Sequence, residues 1–167
     1  MSYAEMILPE FDQEMASTRK VLELVPDDKI DWKATESSHS IGWNASHIVN
    51  LLTWTVATFD ADSFDVHPVG GEMYVTPQLK SNKEILESFD ENLAAARAAI
   101  ERTSDEQVMQ PWSLLKQGEV VFTIPRAAVI RSFVLNHTIH HRAILLTYLR
   151  LNGIKIPGMY GPGDEGV

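Results

Sequence analysis

Histidine is the residue in this chain whose type and spacing point to chemistry. Neutral imidazole nitrogens bind transition metals at about 2 Å, and two histidines four residues apart share one helix face, so a single rigid element can supply two ligands. His137 and His141 meet that condition. A third ligand has to come from another element, and His47 is the one histidine on a different predicted helix, which makes it the candidate by elimination. His39 precedes that helix and His67 sits beside Pro68 in a loop, so both are expected to be solvated. His140 projects about 60° from His137 and about 100° from His141, at the edge of the stripe. It ranks below His141 as a ligand and is expected to support the ligands from behind or to stand at the entrance. The same spacing also fits a pair of hydrogen-bonded core histidines. Thr138 occupies the position where the HExxH metalloprotease motif carries its glutamate, so that general base is missing.

These histidines need helices to position them, and apolar periodicity supplies four. Phe11, Met15, Leu22 and Val25, with Thr18 among them, form one stripe of a first helix that Pro26 stops. A second helix is expected from about Ile41 to Phe59, with Ser40 as N-cap. Its core stripe is Ile41, Ala45, Ile48, Leu52 and Phe59, and a second apolar strip of Trp43, Leu51 and Trp54 includes His47. Trp43 and Trp54 are therefore core residues or the lining of a pocket near His47. Residues 60–80 hold Pro68, Gly70, Gly71 and Pro77 without a period and read as a loop. Ser81 and Glu84 have the spacing of a capping box, opening a third helix with the stripe Leu86, Phe89, Leu93, Ala96 and Ile100. A second connection over about 104–124 contains Pro111 and Gly118 and ends in Val120, Val121 and Phe122, a candidate extended segment. The fourth helix has Thr123 as candidate N-cap, Pro125 near its first position and Gly153 just past its end. At 100° per residue, Ile130, Phe133, His137, His141, Ile144 and Tyr148 fall in one strip about 80° wide. Its other side, Val129, Ile139, Leu146 and Leu149, is also apolar and requires cover from a neighbouring helix or a homodimer partner.

The totals narrow the partners. With 167 residues, 44% of them apolar, one domain over 1–167 can bury its own core. There is no cysteine, so thiolate zinc sites, CxxC redox pairs and cysteine nucleophiles are excluded, and any thiol chemistry needs an incoming small thiol. A formal charge of -9 repels a phosphate backbone, so nucleic acid is not an expected partner. The N-terminus carries acidic residues where a signal peptide has a basic start, and no apolar run reaches the roughly 18 residues of a membrane span. A cytoplasmic protein with a small-molecule ligand or substrate is expected. Asp60, Asp62 and Glu72 lie in the loop as ordinary solvated charges, and no catalytic acid or base is assigned.

Three stretches together resemble the DinB/YfiT-like superfamily: EMASTRKVLELVPDDKIDWK, SHSIGWNASHIVNL, and VLNHTIHHRAILLTYLRLNGIKIPGMYGPGDE. The resemblance covers nearly the whole chain, and its HxxxH pattern matches His137 and His141, with Arg142 and Tyr148 around them, while His47 matches the family's first histidine. It implies an all-α fold, a four-helix bundle with long crossover loops, and a divalent metal held by His47, His137 and His141. Zinc or nickel is expected, with iron or manganese also compatible with imidazole. The resemblance also implies activation of a low-molecular-weight thiol or of water, as in S-transferases, thiol-dependent isomerases or hydrolases. The alternative is a non-catalytic, stress-associated binding protein. Two departures stand in the first-histidine segment, Asn44 and Ser46, where small apolar residues and leucine are commoner, and they are expected to leave the ligands untouched. The GPGDE ending replaces an expected GPSADE, and Pro157 to Glu165 is expected to pack over one end of the bundle.

Overall fold

A computed structural model describes residues 1–164 of the chain. Helix α1, Tyr3–Leu22, starts well before the Phe11 stripe and runs through Pro9. Its start is set by a reciprocal capping box: the Ser2 hydroxyl accepts from the Glu5 N–H, and the Glu5 carboxylate accepts from the Ser2 N–H. The Ser40 hydroxyl accepts from the Trp43 N–H and opens α2, Ile41–Leu51. Gly42 lies where the preceding loop crosses closely, with its N–H on the Ile30 carbonyl, and a Cβ there would stand 2.6 Å from an Ile30 methyl.

The expected helix over 41–59 is two segments, α2 and α3 (Thr53–Asp60), interrupted at Leu52. Leu52 keeps right-handed helical angles, so the direction continues, and the Thr53 hydroxyl donates to the Asn50 carbonyl. Helix α4, Asn82–Arg102, begins at the Ser81 cap as expected, but the Glu84 carboxylate takes the Lys80 N–H rather than that of Ser81. A short α5, Asp105–Met109, follows.

The all-α expectation is corrected by a three-stranded sheet. Strands β1 (Ser63–Asp65), β2 (Pro111–Lys116) and β3 (Glu119–Pro125) lie in that order, β1 parallel to β2 and β2 antiparallel to β3. Val120 to Phe122 do form an extended segment, within β3. The β2–β3 hairpin turns at Gln117 and Gly118, both at positive φ, the geometry that matches strand twist. Pairing of Phe64 and Phe122 with Leu114, and of Trp112 with Ile124, puts these apolar side chains on one face, which explains why a sheet wins here over a loop.

The last helical run is α6 (Arg126–Val129), a π-helical stretch Ile130–Asn136, and α7 (His137–Leu151). Thr123 is not its N-cap; it lies in β3 with its hydroxyl 2.8 Å from that of Ser113. Gly153 ends the run at φ 75°, as expected. Four helical runs, α1, α2–α3, α4 and α6–α7, enclose a core that includes Phe11, Met15, Ile48, Phe89, Val134 and Leu145. Helix α7 contacts both α1 and α2, and on the second apolar face Val129, Leu146 and Leu149 are buried within the chain while Ile139 is half-buried.

Past Gly153 the chain returns to the bundle. Ile156 is buried, and the Asp164 carboxylate accepts from Arg150 and from the Ile156 N–H. The expected packing of this segment holds through Asp164; Glu165 lies outside the described residues. No helix of the described residues is long and apolar enough to cross a membrane.

Candidate metal centre

Helix α7 places His137 and His141 one turn apart, and α2, packed against it, brings His47 opposite them. The Nε2 of His137 stands 3.4 Å from that of His47 and 3.1 Å from that of His141, and one ligand atom from each of the three lies within 4.8 Å of the others. Three nitrogens about 2.0–2.1 Å from one tetrahedral ion stand about 3.3 Å apart, so the observed spacing fits a single divalent metal.

Two of the outer nitrogens are held as well. His141 Nδ1 is 3.0 Å from Asn44 Oδ1, and the Asn44 amide nitrogen donates to the Ser40 carbonyl at 2.8 Å. That second bond fixes which end of the amide faces His141. Asn44 Oδ1 must accept, His141 Nδ1 must carry the proton, and His141 Nε2 presents a lone pair to the centre. His47 Nδ1 is likewise 3.0 Å from the Thr76 hydroxyl. The expectation that Asn44 leaves the ligands untouched is therefore corrected. Ser46, the other departure, accepts the Leu79 N–H and fastens the loop that carries Thr76.

Burial keeps the centre neutral. Desolvation first, then the proximity of His137 and His39, pushes the His47 pKa down to about 4. Desolvation also dominates at His141, which the other histidines help push down to about 3, and His137 is lowered by burial and by His140. Three neutral imidazoles with at least one bare nitrogen directed inward form a donor set suited to a cation, and a pair of self-satisfied core histidines would not need Nε2 atoms facing each other.

The remaining sequence candidates sort by place. His140 is exposed, its ring 5.0 Å from that of His141 and 6.4 Å from that of His137, and it stands at the rim. His39 is exposed but stacks on Trp43 at 3.5 Å, and Trp43 stacks on His47 at 4.7 Å. Trp43 thus closes one side of the centre, whereas Trp54 lines a separate cavity with Phe64 and Trp112. His67 is held in the loop beside β1, where its N–H binds Asp65. Asp60 and Asp62 are paired with Arg102 and Arg126. Asn44 and Thr76 are the site residues that sequence reasoning missed. A buried asparagine one turn before His47 is a readable signal; Thr76, in an aperiodic loop, offers none.

Residues 10–145 match the sequence profile of the DinB superfamily. The chain is 23% identical over 163 residues to the uncharacterized protein YrdA of Bacillus subtilis, covering 95% of this chain and 88% of that protein. Among solved structures it resembles a DinB-like protein from Bacillus cereus, with a TM-score of 0.74 and 20% identity over 95% of this chain and 98% of that one. It also resembles the DinB-like protein YjoA from Bacillus subtilis, at a TM-score of 0.67 and 17% identity over 89% and 92% of the two chains.

Proposed function

The chain belongs to the DinB superfamily, and from that premise we propose that it is a divalent-metal enzyme of the S-transferase or hydrolase type, in which His47, His137 and His141 hold the ion. The observation that carries this reading is the convergence of three Nε2 atoms at metal-site spacing, with two of the outer nitrogens held by Asn44 and Thr76. When bound, the ion supplies Lewis acidity that lowers the pKa of a coordinated water or thiol toward neutrality, and three protein ligands leave a position for it. Zinc and nickel suit this imidazole set best, and iron and manganese remain compatible.

The chain's own residues do the rest. Asn44 fixes the tautomer and ring plane of His141, and Thr76 does the orienting at His47. Trp43, flat against His47, excludes water from one side. With no cysteine in the chain, the thiol arrives as a small co-substrate.

The test loads the full chain with zinc or nickel and follows glutathione consumption with 1-chloro-2,4-dinitrobenzene, alongside hydrolysis of a nitrophenyl ester. The expected result is turnover above the protein-free rate in at least one assay, lost in His141→Ala. If metal binds stoichiometrically but neither rate exceeds the protein-free rate, the catalytic reading gives way to a non-catalytic, stress-associated binding protein.

A further inference from the structure

The helix face that bears His47 continues beyond the metal centre. Trp54 lies two helical turns further on, about 10 Å along the axis, and the chain keeps its helical direction through Leu52 between them. There Trp54 joins Phe64, Tyr74 and Trp112, with Thr53 and Ala57, around a cavity of about 80 Å³. The Trp54 ring centroid is 5.6 Å from that of Phe64 and 6.3 Å from that of Trp112, and Phe64 meets Tyr74 edge-on at 5.4 Å. The rings are inclined to one another by 53° to 86°, so they form walls rather than a stack.

The other ligand-bearing helix reaches the same wall. Phe133, one turn before His137, stacks on Phe122 at 5.0 Å, and Phe122 is 6.5 Å from Trp112. Tyr74 belongs to the same loop as Thr76, and its hydroxyl donates to Asn50 Oδ1 at 2.6 Å, one turn past His47. The buried amide nitrogen of Asn50 and the buried indole nitrogen of Trp112 have no partner among the described residues. The cavity thus lies on the continuation of the helical run that holds His47, and the unspent indole donor belongs to its lining residue Trp112.

We propose that this cavity binds the aromatic ring of a neutral, arene-bearing substrate whose reactive end lies at the three histidines. The placing of the reactive end rests on the metal-centred reading above; the binding of the ring does not. No charged side chain lines the cavity, and a flat neutral ring meets aromatic surface on several sides. Apolar cavities of about 150 Å³ take benzene. This one is smaller, but exposed Thr53 and Tyr74 at its edge leave it open to solvent, which fits one ring rather than a fused pair.

Fluorobenzene titrated into the metal-free full chain, read by ¹⁹F line broadening and tryptophan emission, tests this. Saturable broadening is expected, weakened about tenfold or more by Ala57→Leu, which fills the cavity, and by Tyr74→Ala, which removes a wall. Tetramethylammonium should not displace the probe. Thermal melts establish that the variants fold, and Tyr74→Ala, on an exposed loop, carries the test if Ala57→Leu does not. Broadening that fails to saturate, persists unchanged in the folded variants, or is displaced by tetramethylammonium overturns the proposal. Ring binding lost while metal uptake is intact sinks the ring site alone. Metal uptake absent while ring binding is intact sinks the metal-centred reading.

Discussion

Asn44 has two bonds that only one arrangement satisfies: its amide nitrogen on the Ser40 carbonyl and its oxygen on His141. Asn44→Ala should weaken metal affinity about 10- to 100-fold, the usual cost of losing an outer hydrogen-bond partner. A chelator competition titration measures it, and unchanged affinity would remove Asn44 from the centre. Protonation sets a second expectation at this scale. His47 and His141 hold pKa values of about 4 and about 3 in the folded chain, below the ordinary value of 6.5 that they regain on unfolding. As pH falls from 6.5 toward 4, the unfolded chain takes up protons that the folded chain refuses, so metal-free stability should fall over that window and be fully present above it. Thermal melts in EDTA between pH 7.5 and 4 check the sign. The pair on α7 was legible from its spacing, and His47 by elimination, because ligands on helices obey the helix period. Thr76 was not legible, since its place depends on how a loop folds back onto α2 through Ser46 and Leu79.

The elements that carry the ligands differ in how openly the sequence declares them. Apolar stripes found the four helical runs, and the Ser40 cap lay where expected, so Ser40→Ala should destabilise α2 by about 1 kcal/mol in urea unfolding. An unchanged midpoint would mean that packing of α2 against α7 alone holds the helix start. The π-helical stretch Ile130–Asn136 was not legible, because a projection at 100° per residue assumes the turn it tests. Pro111 and Gly118 read as breakers, yet Pro111 begins a strand and Gly118 supplies a positive-φ turn position. The sheet is specified by pairing across distant segments, Phe64 with Leu114 and Trp112 with Ile124, which no local period reports. Those same pairs build the aromatic wall.

Across the whole molecule, the helix bearing two ligands is tied to the first helix and to the chain's end by a buried charge. Arg142 is 2% exposed and binds the Glu14 carboxylate, the Glu14 carbonyl and the Thr18 hydroxyl; the Tyr160 hydroxyl bridges Arg142 and Glu14. Removing one partner leaves a buried charge uncompensated, so Glu14→Ala should cost about 3–5 kcal/mol of stability, read as a lower urea midpoint. A loss near zero would mean that Arg142 finds water or another acceptor. Tyr160 lies in the segment where the sequence departs from its family's usual ending, and its hydroxyl reaches the buried Arg142–Glu14 pair while the residue itself stays exposed. What this framework holds in place is the three-histidine centre. Calorimetric titration of zinc into metal-free wild-type chain and into His141→Ala tests that centre most directly. One equivalent bound by the wild type, with affinity sharply reduced in the variant, is the expected result; no saturable binding, or equal binding by both, would contradict it.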